Sequence, residues 1–170
     1  GTHCAGTVGG VGNNGVGITG VAWNVQMIAC QFLSPFGCGM TADAIQCIDY
    51  SRQQGAHIMS NSWGGGPFSQ ALFDAIGRAK DAGIIFTAAA GNSGSDNDQF
   101  PHYPSSYDHD NIVAVAATDR NDDITWFSCF GATSVDIGAP GQDILSSVAT
   151  SDSAYDFFSG TSMACPHVSG

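Results

Sequence analysis

The sequence predicts an α/β fold: a parallel sheet covered by helices on both faces. Three observations lead there. Short apolar runs alternate with segments of helical periodicity, the order from which parallel sheets are built. Residues 84–90 are apolar apart from Thr87, as in a strand buried on both faces. Glycine makes up 23 of the 170 residues, which suits the many tight loops of such a fold.

Taken in order, residues 25–32 read as a buried strand. Residues 41–54 read as a helix, with Thr41 as its cap and Ala44, Ile45, Cys47 and Ile48 as its apolar face. Residues 56–62 form the next strand. Residues 69–81 form a helix with Leu72, Ile76 and Ala79 at helical spacing, and Gly83 ends it. Strand 84–90 follows, then a polar, irregular stretch over 95–111 and a strand at 112–117. The Asp-rich cluster 119–123 is a turn; the chain has no glutamate to close an EF-hand there. Residues 155–158 look extended, and a helix opens soon after them.

Composition narrows the function. At 170 residues and 43% hydrophobic, the chain is one domain or a large piece of one, with a real core. Its formal net charge of −11 argues against a nucleic-acid partner and against an anionic membrane surface. That charge is all aspartate, compatible with bound calcium or with solubility alone. No signal peptide, transmembrane run or internal repeat is visible. The six cysteines include no CxxC pair, so a zinc site is not expected. Buried free thiols are expected for most, with Cys30–Cys38 or Cys38–Cys47 as open disulfide pairings.

Four stretches carry chemistry. Ser162, in Gly160-Thr-Ser-Met-Ala-Cys-Pro-His-Val-Ser-Gly170, follows an extended run and opens a helix. The positive end of a helix suits a nucleophile, because its N–H groups can steady an oxyanion. A lone serine there is more often a cap. Asn92, in Ala88-Ala-Ala-Gly-Asn-Ser-Gly94, follows a strand and offers an uncharged donor; a turn asparagine has the same look. Ser62-Trp63-Gly64-Gly65 ends a strand with glycines that let another chain approach its backbone; Trp63 packed on a neighbour is the plainer reading. Gly10-Val-Gly-Asn-Asn-Gly15 fits a dinucleotide fingerprint, but no strand precedes it and the nearest later acidic residue is Asp43, so that reading is rejected.

Together these strings resemble the subtilisin-like serine proteases (subtilases), and the resemblance runs over essentially all 170 residues. It implies that Ser162 is the nucleophile and Asn92 the oxyanion donor. It implies that Ser62, Trp63 and Gly64, with Ala90 and Gly91, bind substrate backbone and wall the first specificity pocket. Gly1-Thr-His3-Cys-Ala-Gly-Thr7 resembles the family's His-Gly-Thr-His-x-Ala-Gly-Thr without its first histidine. His3 then matches the second, structural histidine, and the catalytic base would precede Gly1. Cys4 looks like the thiol of the thermitase-like and proteinase-K-like branches, lying under that base. Asn14, with carbonyls of Gly12, Val16 and Ile18, resembles part of a calcium loop, a plain tight loop being the other reading. Asp136, in Asp-Ile-Gly-Ala-Pro-Gly, matches a residue that binds a second cation in relatives, or else caps a loop.

The implied whole is a serine endopeptidase acting on protein or peptide substrates, secreted and monomeric, needing no cofactor for chemistry beyond structural calcium. Residues 1–170 would be a partial peptidase domain, from just after the catalytic histidine to just after the nucleophile. The fragment, lacking its base and aspartate, would be inactive alone. The competing class is a non-catalytic protein on the same scaffold.

Overall fold

A computed structural model describes residues 1–170. The sheet is built from β1 (Ile58–Asn61), β2 (Ile85–Ala89), β3 (Ile112–Thr118) and β4 (Ile137–Pro140), all parallel and in that spatial order. Asn61 stands opposite Ala88, and Ala89 opposite Val115. The carboxyl ends of β1 and β2 therefore emerge side by side, where α/β sheets hold their ligands.

Side chains alternate along each strand, so each sheet face needs its own cover. On one face lie α2 (Thr41–Gln53) and α3 (Gln70–Asp81). Their Ile48, Leu72, Ala75, Ile76 and Ala79 pack on Met59, Phe86, Ala88 and Ile112. On the other face lies α4 (Thr161–Ser169), with Ala164 and Cys165 against Ala89, Val115, Ala117 and Ala139. That second core is almost all small residues, which lets α4 sit close to the sheet. Polar bonds join it there: Ser169 Oγ stands 2.7 Å from Thr87 Oγ1 and donates to Ser60 Oγ at 2.8 Å. Outside α4 come α1 (Thr2–Gly9) and a hairpin of β5 (Ile144–Ser147) and β6 (Tyr155–Phe158). No helix is long and apolar enough to cross a membrane.

Three expectations need correction. Residues 25–32 form no strand. No backbone group from Trp23 to Leu33 bonds to another, and Val25, Met27 and Ile28 are exposed. The apolar run has the composition of a strand but no ladder to join, since β1 is the edge of the sheet on that side and does not pair with it. Thr41 is the first helical residue, not the cap of α2; Met40 holds the cap position and makes no side-chain cap bond. In contrast, Ser69 caps α3 as its position suggests, accepting from Leu72 N–H. The disulfide joins Cys30 to Cys47, a pairing not among those expected. It ties the irregular run to α2, and Cys129 and Cys165 are the buried free thiols.

One exposed carboxylate organises a long loop. Asp98 accepts from the N–H groups of Ala132, Thr133 and Ser134 and from Thr133 Oγ1, at 2.9–3.3 Å. The Ser134 hydroxyl, which stands near without completing a hydrogen bond, together with Thr133 and these N–H groups holds its pKa down to about 2. A folded-state pKa below the ordinary value of 3.8 means that the unfolded chain binds the proton first. The stabilisation is complete well above pH 3.8 and is lost as pH falls through about 2. Asp98→Asn is therefore expected to lower the urea midpoint clearly at pH 6 and much less at pH 2, where about half of the folded-state carboxyl is already protonated. Equal losses at both pH values would show that the carboxylate's charge is not what matters.

Candidate active site

Ser162 is the second residue of α4, just beyond the turn that follows β6. Its Oγ donates to the Ser62 carbonyl at 3.2 Å, and Ser62 Oγ donates back to the Ser162 carbonyl at 2.9 Å. Cys4 Sγ donates to the same Ser162 carbonyl at 3.3 Å. That carbonyl is free for outside donors because the residue four positions on is Pro166, which has no N–H to continue the helix ladder. The Ser162 N–H, in the first turn of α4, has no acceptor.

Asn92 lies beyond the end of β2, after Gly91. Gly91 adopts φ +109, a conformation that glycine takes without strain. The Asn92 side-chain oxygen accepts twice from Thr161, from its N–H at 2.8 Å and from its Oγ1 at 3.0 Å. Thr161 Oγ1 in turn accepts the Gly91 N–H at 3.2 Å, and Thr161 is fully buried. With its oxygen occupied, Asn92 presents Nδ2 unpaired on an exposed side chain. The Asn92 amide and the Ser162 N–H lie close together: a Cβ on Gly160 would stand 3.6 Å from both Asn92 Nδ2 and Oδ1 and 3.7 Å from Ser162 N. Unpaired N–H donors of this kind are the groups that can stabilise an oxygen gaining charge.

The rim of the site is glycine. Gly64 sits against the His102 ring and 2.9 Å from the Tyr103 carbonyl, measured from where a Cβ would be, so only glycine fits. Gly65 N–H donates to that same carbonyl at 2.8 Å. Trp63 stands edge-on to Phe32 at 5.1 Å, and its Nε1–H donates to Asn61 Oδ1 at 3.0 Å, so it packs on neighbours. Ala90 is buried, with its carbonyl accepting from Asn97 Nδ2 at 2.9 Å. The sequence-derived set Ser62, Trp63, Gly64, Ala90, Gly91, Asn92 and Ser162 thus gathers at the carboxyl ends of β1 and β2.

Three residues of this site carried no chemical signal in the sequence. Thr161 stands next to the serine but reads as part of a motif, not as a lock. His102 is half-buried between Gly64 and Gly91, and that burial lowers its pKa. Cys129 is buried beneath the Gly91 turn, its N–H donating to the Gly91 carbonyl at 2.9 Å and its Sγ 3.2 Å from Ser93 Oγ.

Asn14 and Asp136 lie apart from the serine's partners. Asn14 is exposed and its side-chain oxygen accepts from Val16 N–H at 3.0 Å. Asp136 accepts from Ala114 N–H at 2.7 Å and caps the start of the β3–β4 pairing. No three His, Cys, Asp or Glu side chains come together anywhere, so each brings a single side-chain ligand and no carboxylate cluster.

No histidine reaches Ser162. His3 is buried in α1, its Nε2 within 3.0 Å of the Ile144 carbonyl and 3.2 Å of the Asp156 carbonyl, its ring stacked on Phe158. It pins α1 to the β5–β6 hairpin, the structural part expected of it. His167 Nδ1 bonds the Met163 carbonyl at 2.9 Å, one turn back along its own helix.

Comparison with known proteins agrees with this arrangement. The sequence model of the subtilase family matches residues 1–170. The chain is 42% identical over 170 residues to thermitase from Thermoactinomyces vulgaris, covering all of this chain and 58% of that protein. A crystal structure of a cold-adapted subtilisin-like serine proteinase superposes with a TM-score of 0.86 at 37% identity, covering 99% of this chain and 57% of that one. A protease from Pseudoalteromonas arctica superposes with a TM-score of 0.89 at 30% identity, covering 99% and 55%. The chain spans little more than half the length of each. Motifs, parallel sheet, serine geometry and full-length family match converge on one assignment: this chain belongs to the subtilase family of serine proteases.

Proposed function

We propose that these residues form the nucleophile and oxyanion half of a serine endopeptidase. The observation that carries the reading is the pair of unpaired donors, Ser162 N–H and Asn92 Nδ2, set beside Ser162 Oγ. A base supplied from outside these residues, a histidine oriented by an aspartate, takes the Ser162 proton. Ser162 Oγ then attacks the scissile carbonyl of a peptide, and the two donors stabilise the resulting oxyanion. Collapse expels the amine, protonated by the same histidine, and water hydrolyses the acyl-enzyme. The exposed backbone at Gly64–Gly66 suits an extended peptide lying alongside.

The 170-residue chain alone has no imidazole on Ser162, so it is expected to be inactive; loss of the base costs about 10⁶ in turnover. Calcium at Asn14, or at Asp136, would need further oxygens, carbonyls of Gly12, Val16 and Ile18 among them at the first, and takes no part in the chemistry. The Cys30–Cys47 disulfide favours an oxidising, extracellular setting and so supports secretion. A monomer is the proposed working state.

Labelling of the full-length protein by a fluorophosphonate tests the reading. Covalent label on Ser162, lost in Ser162→Ala, is expected. A folded protein that takes no label would instead be a non-catalytic relative on the same scaffold.

Two further variants test the donor pair. Asn92→Ala is expected to lower kcat by about 10²–10³ with KM little changed, the magnitude found on removing one such donor in a subtilisin. An unchanged kcat would remove Asn92 from the oxyanion site. Thr161→Val should cost about 1–3 kcal/mol in urea denaturation, because the buried Gly91 N–H loses its acceptor. It should also lower kcat by releasing Asn92; full stability and full turnover together would show that the hydroxyl locks nothing.

A further inference from the structure

Away from the serine, a groove of about 790 Å³ runs between the irregular segment and α2, and three of the six cysteines line it. Cys30 and Cys47 are joined there, with Cα atoms 5.8 Å apart. Cys38 lines the same groove as a free, exposed cysteine. Its sulfur has one polar neighbour, the Phe36 carbonyl at 3.9 Å, too far to hold it.

The chain brings Cys38 back deliberately. A turn closes with Ser34 N–H donating to the Cys38 carbonyl at 2.8 Å and Gly37 N–H to the Ser34 carbonyl at 2.9 Å. Gly37 takes φ +78, and the next residue, Gly39, presses on the segment that holds Cys30: a Cβ there would lie 2.6 Å from the Phe32 carbonyl. The turn thus packs against the bridged segment, and its Cys38 shares one groove with both bridged cysteines.

We propose that Cys38 is the attacking thiol of an internal thiol–disulfide exchange site. Cys38 loses its proton to solvent and its thiolate attacks Cys47 Sγ. The Cys38–Cys47 bond forms as the Cys30–Cys47 bond breaks, and Cys30 leaves as a thiolate that water reprotonates. Nothing is oxidised or reduced overall, so no co-reactant is needed. Attack on Cys47 is favoured over attack on Cys30 because Cys30 is exposed, and a solvated thiolate is the better leaving group, whereas Cys47 is partly covered in α2. The charged and titratable side chains that line the groove with the cysteines are Asp43 and Tyr50, both from α2.

Exchange has a mechanical result. The disulfide is the covalent tie of a segment whose backbone, from Trp23 to Leu33, bonds to no other. Phe32 in that segment packs on Trp63. Once Cys30 is released, the covalent tether to α2 moves from the Trp23–Leu33 segment to Cys38, beyond the Ser34–Cys38 turn.

The test is disulfide mapping of the unreduced full-length protein. It is held at pH 8.5, acid-quenched, alkylated with iodoacetamide and digested. The expected result is a Cys38–Cys47 peptide with alkylated Cys30, accumulating with time from a starting population that carries Cys30–Cys47 and alkylated Cys38. Cys38→Ser, an exposed substitution, should retain Cys30–Cys47 throughout, with no label on Cys30. An unchanging Cys30–Cys47 map in the unsubstituted protein would overturn the proposal, as would equal release of Cys30 in the Cys38→Ser variant.

Discussion

A single buried hydroxyl, that of Thr161, holds the site together. It bonds to the Asn92 side chain in one direction and receives the Gly91 N–H in the other, joining the start of α4 to the end of β2. Buried polar groups are costly unless paired, so each of these atoms fixes the others. The result is an asparagine whose oxygen is fully engaged and whose nitrogen is therefore aimed outward. Orientation here comes from satisfying one end of an amide, not from adding contacts at the other.

The fold supplies the rigid frame for that lock. Asn92 and Ser62 come from neighbouring parallel strands, and the serine from a helix seated over both. Alanine dominates the face between α4 and the sheet, so the helix lies close enough for Thr87, Ser60 and Ser169 to bond across the seam. Small side chains and hydroxyls in one interface allow both close approach and a fixed register. The larger apolar residues, Phe86, Ile76 and Leu72, lie on the opposite face, where bulk and not precision is required.

Much of this was legible in the chain. Continuous apolar runs announced β2 and β3, helical spacing announced α2 and α3, and Ser69 announced the start of α3. The serine, asparagine and glycine strings were legible as local motifs, and the fold brings them together at the carboxyl ends of β1 and β2. The misses have a common cause. The segment at 25–32 is apolar like a strand, but strand formation depends on a neighbour that composition cannot reveal. The Cys30–Cys47 pairing depends on where the turn at Ser34–Cys38 sends the chain, and spacing alone does not say. His102 and Cys129 reach the site through tertiary folding, from segments with no periodicity to read.

Pro166 gives the helix of the serine an unusual dependence. In an ordinary helix the carbonyl of Ser162 would bond to the N–H four residues on, and the first turn would stabilise itself. Here that rung is absent, and hydroxyl and thiol donors from Ser62 and Cys4 take its place. The turn is wired to its surroundings: β1 on one side, α1 on the other. Its geometry thus depends on contacts from both and not on the helix ladder alone. Loosening either β1 or α1 would therefore reach the Ser162 turn directly, through a carbonyl that its own helix leaves unpaired.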